Sequence, residues 1–60
     1  MVTQQEVREK LIKVAEREKQ TYIAKHIGMP KQALTAFKVG RTDLWEEHLL
    51  KLNDYLDSRL

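Results

Sequence analysis

Gln20-Thr21-Tyr22-Ile23-Ala24-Lys25-His26-Ile27-Gly28-Met29-Pro30-Lys31-Gln32-Ala33-Leu34-Thr35-Ala36-Phe37 is the stretch from which the rest of the chain is most easily understood. Ile23, Ala24 and Ile27 fall at helical spacing, and Thr21 is a residue type that caps helices, so a short helix is predicted over 21–27. Gly28 stops it, because glycine readily takes the positive φ needed just past a helix end. Pro30 suits the first position of a new helix, where its missing N–H costs nothing. That helix is predicted over 30–39, burying Ala33, Leu34 and Phe37, with Gly40 closing it. Two helices joined at a wide angle by so short a turn need a small residue at their approach and apolar anchors on both inner faces. Ala24 is the small residue, Ile23, Ile27, Leu34 and Phe37 are the anchors, and Met29 plugs the turn.

Toward the N-terminus, Thr3 followed by Glu6 has the spacing of a capping box and opens a helix predicted over 3–18. Val7, Leu11, Val14 and Ala15, with Ile12 beside them, form its apolar stripe, and Glu6–Lys10 and Glu9–Lys13 are acid-then-base pairs four apart. Toward the C-terminus, Thr42 or Asp43 caps a helix predicted over 43–59. Its stripe runs Trp45, Leu49, Leu52, Leu56 and Leu60, broadened by Leu44, Leu50 and Tyr55. The expected fold is a small all-α domain of four or five helices, one domain over residues 1–60, around a central helix-turn-helix.

Sixty residues without cysteine exclude a disulfide framework, so an apolar core has to carry the fold. No apolar run approaches the ~18 residues of a membrane span. The N-terminus lacks the apolar segment of a secretory signal, so the expected location is cytoplasmic. Net charge is +2, but it is unevenly spread. Residues 20–42 hold Lys25, Lys31, Lys38 and Arg41 and no acid, whereas residues 43–60 hold two bases and five acids. A basic middle suggests one face made for an anionic partner.

The quoted stretch resembles the helix-turn-helix of the phage Cro and repressor family, with glutamine first, alanine four later, glycine eight later and apolar residues at Leu34 and Phe37. The resemblance covers about twenty residues. It implies a lambda-repressor-like fold and sequence-specific binding of double-stranded DNA, with helix 30–39 in the major groove, by a transcription regulator of a bacterial or phage-infected cell. It further implies base contacts from Lys31, Gln32, Thr35 and Ala36, and phosphate contacts from Gln20 and Thr21. Gln32 suits adenine N6 and N7, Lys31 suits guanine O6 and N7, and Ala36 suits a thymine methyl. Lys38 and Arg41, where the chain leaves the groove, are expected to meet phosphate. Two features depart from the family: Pro30 in the turn, and a tail that reads as one long helix.

A single reader makes few base contacts, so a homodimer on a near-palindromic site is expected, with Leu50, Tyr55 and Leu60 of the last helix as its face. No enzyme, cofactor, metal or small-molecule substrate is expected. His26 and His48 stand alone, Ser58 is the only serine, and no glycine-rich phosphate loop occurs. The competing reading is a protein-binding helical module, an anti-repressor or adaptor, that keeps the helix-turn-helix as scaffold and docks through its Leu-rich last helix.

Overall fold

Thr3, itself extended, is the N-cap of α1 (Gln4–Ala15). Its Oγ1 accepts the Glu6 N–H at 3.1 Å and its own N–H donates to Glu6 Oε2 at 3.4 Å, the reciprocal pair that the spacing predicts. The computed structural model describes residues 2–60, so the domain read over 1–60 is described except for Met1. Val7, Leu11 and Val14 are fully buried, while Ile12 lies on the shoulder of the stripe, 42% exposed.

α1 ends three residues before its predicted boundary. The amides of Arg17 and Glu18 turn back onto the Val14 carbonyl, each at 2.9 Å. The reason is tertiary. Arg17 Nη2 donates to the Arg59 carbonyl at 3.0 Å, and Glu18 Oε1 accepts the Tyr55 hydroxyl at 2.7 Å, so both side chains clamp the far end of the last helix. Burial, and then the hydrogen bond to Glu18, raise the Tyr55 phenol above its ordinary pKa of 10.0 and keep it a neutral donor.

α2 (Gln20–Ile27) starts one residue before the predicted cap. Lys19 is the N-cap and makes no side-chain bond, so Thr21 lies inside the first turn, exposed, and caps nothing. Ile23, Ala24 and Ile27 face inward as their spacing predicts. Gly28 follows at φ 76°, and the Met29 amide closes the end on the Ala24 carbonyl at 3.0 Å. Nothing lies within 4 Å of where a Gly28 Cβ would stand, so a side chain there meets backbone strain and no clash. Gly28→Ala is therefore expected to lose about 1–2 kcal/mol, and Gly28→Asn less, in urea unfolding followed by circular dichroism.

α3 (Lys31–Lys38) begins after Pro30, which is its N-cap and not its first residue. The ring fixes φ at −63°, compatible with either position, but ψ of 143° is extended. The end of α3 repeats the device of α2: Gly40 sits at φ 85° and the Arg41 amide donates to the Ala36 carbonyl at 2.9 Å.

α4 (Glu46–Arg59) begins three residues later than predicted, and neither Thr42 nor Asp43 caps it. Asp43 Oδ1 accepts Arg8 Nη2 at 3.2 Å. Gln4 holds the Leu44 backbone from both sides, donating to its carbonyl at 2.9 Å and accepting its amide at 3.0 Å. Leu44 is buried in that position, Trp45 after it is extended at ψ 150°, and helix starts only with Glu46. Trp45, predicted to lead the apolar stripe, is 83% exposed. Tyr55, predicted on the dimer face, is buried beside Leu52 and Leu56.

α1 packs on α4 and α3, and α2 packs on α3 and α4, which closes the core around Phe37, Leu11, Ile23, Leu34, Leu52 and Leu56. Lys10 reaches across to α4, donating to Asn53 Oδ1 at 2.8 Å and pairing with Asp57 at 2.8 Å, and does not pair with Glu6. Glu9 accepts from Gln5 at 3.1 Å in place of the expected Lys13. Among the described residues there are four helices and no strand, which fixes a small all-α domain without a fifth helix. No helix among them is long and apolar enough to cross a membrane.

Candidate nucleic-acid interface

Leu34 and Phe37 pin one side of α3 to the core, and this leaves the opposite side outward. At ~100° per residue, positions 31, 32, 35, 36 and 39 fall within an arc of about 140°. Lys31, Gln32, Thr35 and Ala36, the four residues expected to touch bases, line one concavity of about 710 Å³ together with Val39 and Arg41. Lys31, Gln32 and Thr35 are exposed and Ala36 is half-buried. Arg41 is exposed too, its backbone held against the last turn of α3 by the bond to Ala36.

Val39 is the member that the sequence reading missed. Its place marks only the predicted helix end, yet it is 61% exposed and shares the wall. Its spacing of three from Ala36 and four from Thr35 was the available signal.

Gln20 and Lys38, both expected at phosphate, are hydrogen-bonded to each other. Lys38 Nζ donates to Gln20 Oε1 at 3.2 Å, and Gln20 Nε2 donates to Thr35 Oγ1 at 2.7 Å. An ammonium has only donors, so it fixes which end of the amide faces it and leaves the NH₂ end for Thr35. This chain links the first residue of α2 to the outer face of α3. One amide hydrogen of Gln20 is not used by it. Thr21 lies next to Gln20 at the exposed start of α2.

The electrostatic setting is one-signed along the sequence. Between residues 20 and 42 there is no carboxylate to compete with an incoming anion. Asp43, the first acid beyond, has its carboxylate held by Arg8. Neither α2 nor α3 has a side-chain cap on its first-turn amides, in contrast with the capping box of α1.

A second concavity, about 500 Å³, lies between α2 and α4 and is lined by His26, Ile27, Lys51, Asp54, Tyr55 and Ser58. The His26 ring leans on Tyr55 with centroids 4.5 Å apart. Ser58 Oγ donates to the Tyr55 carbonyl at 2.6 Å, so its proton is engaged by its own helix. Among the described residues no group of three or more His, Asp or Glu side chains is placed to hold a metal ion. Protein-family models, curated proteins and solved structures were compared with the chain, and none matches it.

Proposed function

We propose that this protein is a sequence-specific binder of double-stranded DNA and acts as a transcription regulator, with α3 seated in the major groove and α2 braced across the backbone. The observation that carries the proposal is the gathering of Lys31, Gln32, Thr35 and Ala36 on one outward concavity, with Arg41 at its edge. A B-DNA major groove is ~12 Å wide and admits a single helix. Eight residues of α3 span about 12 Å along that groove. Gln32 offers the amide pair that matches adenine, Lys31 a donor for guanine, and Arg41 a charge for phosphate. The first-turn amides of α2 at Gln20 and Thr21, which no side chain caps, suit a phosphate for the same electrostatic reason. On this reading the protein binds and does not catalyse, needs no cofactor, and works in the cytoplasm of a bacterial or phage-infected cell.

Selection of duplexes from a random pool at low salt tests the proposal. The expected result is an enriched near-palindromic site with half-sites about 34 Å apart, bound by two copies. A pool with no enrichment and no binding at low salt contradicts it. Because Tyr55 is buried, the α4 apolar groups left for contact between copies are Leu50 and Leu60, about 15 Å apart along the helix and about 80° apart around it.

Salt dependence separates the cations. Arg41→Gln is expected to lower the slope of log K against log salt by about one and to weaken all sequences alike. Lys38→Met is expected to lower that slope by less than Arg41→Gln, because Gln20 holds the ammonium to one side, and to reduce discrimination at the base pair met by Thr35. A slope that falls equally for both variants means that Lys38 reaches phosphate after all.

One observation favours a second reading. Trp45, Leu50 and Leu60 are exposed apolar groups away from the α3 concavity, and a protein partner would cover them. Such docking is nearly independent of salt, whereas duplex binding weakens steeply as salt rises.

A further inference from the structure

Resting on the DNA-reading proposal, we infer that Ala36 and Val39 form an apolar strip that reads the C5-methyl group of a pyrimidine on the floor of the major groove. Among the described residues six large apolar side chains are exposed, and Val39 is the one of them that lines the α3 concavity. Ala36 stands three residues earlier on the same wall, so the two side chains are neighbours on one helical face.

The strip is firmly placed. Val39 N–H donates to the Thr35 carbonyl at 3.0 Å, and the next two amides, of Gly40 and Arg41, close on Phe37 and Ala36 at 3.1 and 2.9 Å. Phe37, between them, is fully buried. A β-branched side chain on such a backbone has few rotamers, so its methyl groups stay in place without a further ordering cost on binding.

Lys31 and Arg41 bracket the strip on the same wall, and no acid occurs from residue 20 to residue 42. An apolar patch between two cations suits a partner that is anionic at its edges and apolar at one point within. The base edges of the major groove present donors and acceptors at every position, and a single apolar group, the methyl on C5 of thymine. 5-Methylcytosine carries the same group on the same carbon, so the shared chemistry is the methyl and not the whole base.

The experiment uses the full chain and the duplex recovered by selection. Each thymine is replaced in turn by deoxyuridine, which removes the methyl and nothing else. Burial of one such group is worth ~0.8 kcal/mol, so affinity is expected to fall about three- to fivefold at one or two adjacent positions in each half-site and to stay constant elsewhere. At a sensitive position, a 5-methylcytosine·guanine pair is expected to bind several-fold better than a cytosine·guanine pair. Equal binding of those two pairs restricts recognition to thymine. Val39→Ser is expected to melt like the parent and to lose the preference for thymine over uracil at those positions.

A scan in which no deoxyuridine weakens binding overturns the strip while leaving the DNA reading in place. So does a Val39→Ser protein that keeps the full thymine preference. A protein that binds neither the recovered duplex nor random duplex at low salt removes the DNA reading, and the strip with it.

Discussion

Phe37→Ala is expected to leave the domain largely unfolded at 25 °C. Phe37 is completely buried where α1 and α3 meet, and it is the largest side chain with no exposure. Removing a buried phenyl costs ~3–5 kcal/mol, the lost transfer free energy plus the cavity left behind. At 0.05–0.15 kcal/mol per residue, a domain of this size has roughly 3–9 kcal/mol in all. The loss consumes most of it. Phe37→Leu, which refills part of the space, is expected to cost about 1–2 kcal/mol and to stay folded. Urea titrations followed by circular dichroism at 222 nm separate the two. A cooperative transition for the alanine variant within about 1 kcal/mol of the parent contradicts the packing described above.

Arg8→Met is expected to cost about 2–3 kcal/mol, the second largest effect, although Arg8 reads in the sequence as one more surface base on a helix. Its side chain is only 14% exposed. Nε donates to the Phe37 carbonyl at 2.6 Å, Nη2 to the Thr42 carbonyl at 3.2 Å, and Nη1 to Gln5 Oε1 at 3.1 Å. The guanidinium lies 4.6 Å from the centre of the Phe37 ring. It therefore ties α1 to the last turn of α3 and to the loop beyond, which are the segments that hold Val39 and Arg41 in place. The methionine keeps most of the apolar stem, takes away the donor of the Thr42 carbonyl and leaves the Phe37 carbonyl with the Gly40 amide alone.

Arg8→Lys is expected to recover little, since one ammonium cannot serve carbonyls in several directions. The pair with Asp43 contributes little by itself because that carboxylate is 70% exposed, so Asp43→Asn should cost under ~1 kcal/mol. Thermal melts of the three variants at one ionic strength check this order. Since Arg8 and Phe37 touch, their two losses will not add, and the double variant should fall short of the sum.

The parts of this fold that are legible in the sequence are those set by neighbours along the chain. Thr3 with Glu6, Gly28 after Ile27, and Gly40 after Val39 act within one turn, and the structure has each of them in the predicted role. The misread parts were set by residues far away. Asp43 and Glu46 have the spacing of a cap, but Arg8, 35 positions earlier, takes the aspartate, and Gln4, 40 positions from Leu44, binds the amide and carbonyl of Leu44. Trp45, next in the chain, is the extended N-cap of α4 and lies outside the stripe. Tyr55 looked surplus to the core because its partners, Glu18 and His26, lie in segments that local periodicity does not connect to it.

The candidate site follows the same division. Lys31, Gln32, Thr35 and Ala36 share a face because helical spacing says they must, and the concavity contains all four. The Gln20–Lys38 hydrogen bond spans 18 positions between two helices, and no pattern in the sequence announces it.

Backbone amide shifts of isotope-labelled protein, titrated at low salt with the selected duplex or, where selection recovers none, with a random-sequence duplex, test the central claim most directly. The largest changes are expected at Gln20, Thr21 and residues 31–41, with the outward side of α4 from Glu46 to Ser58 nearly still. Shifts confined to the surroundings of Trp45, Leu50 and Leu60, or no shifts at any duplex concentration, would contradict it.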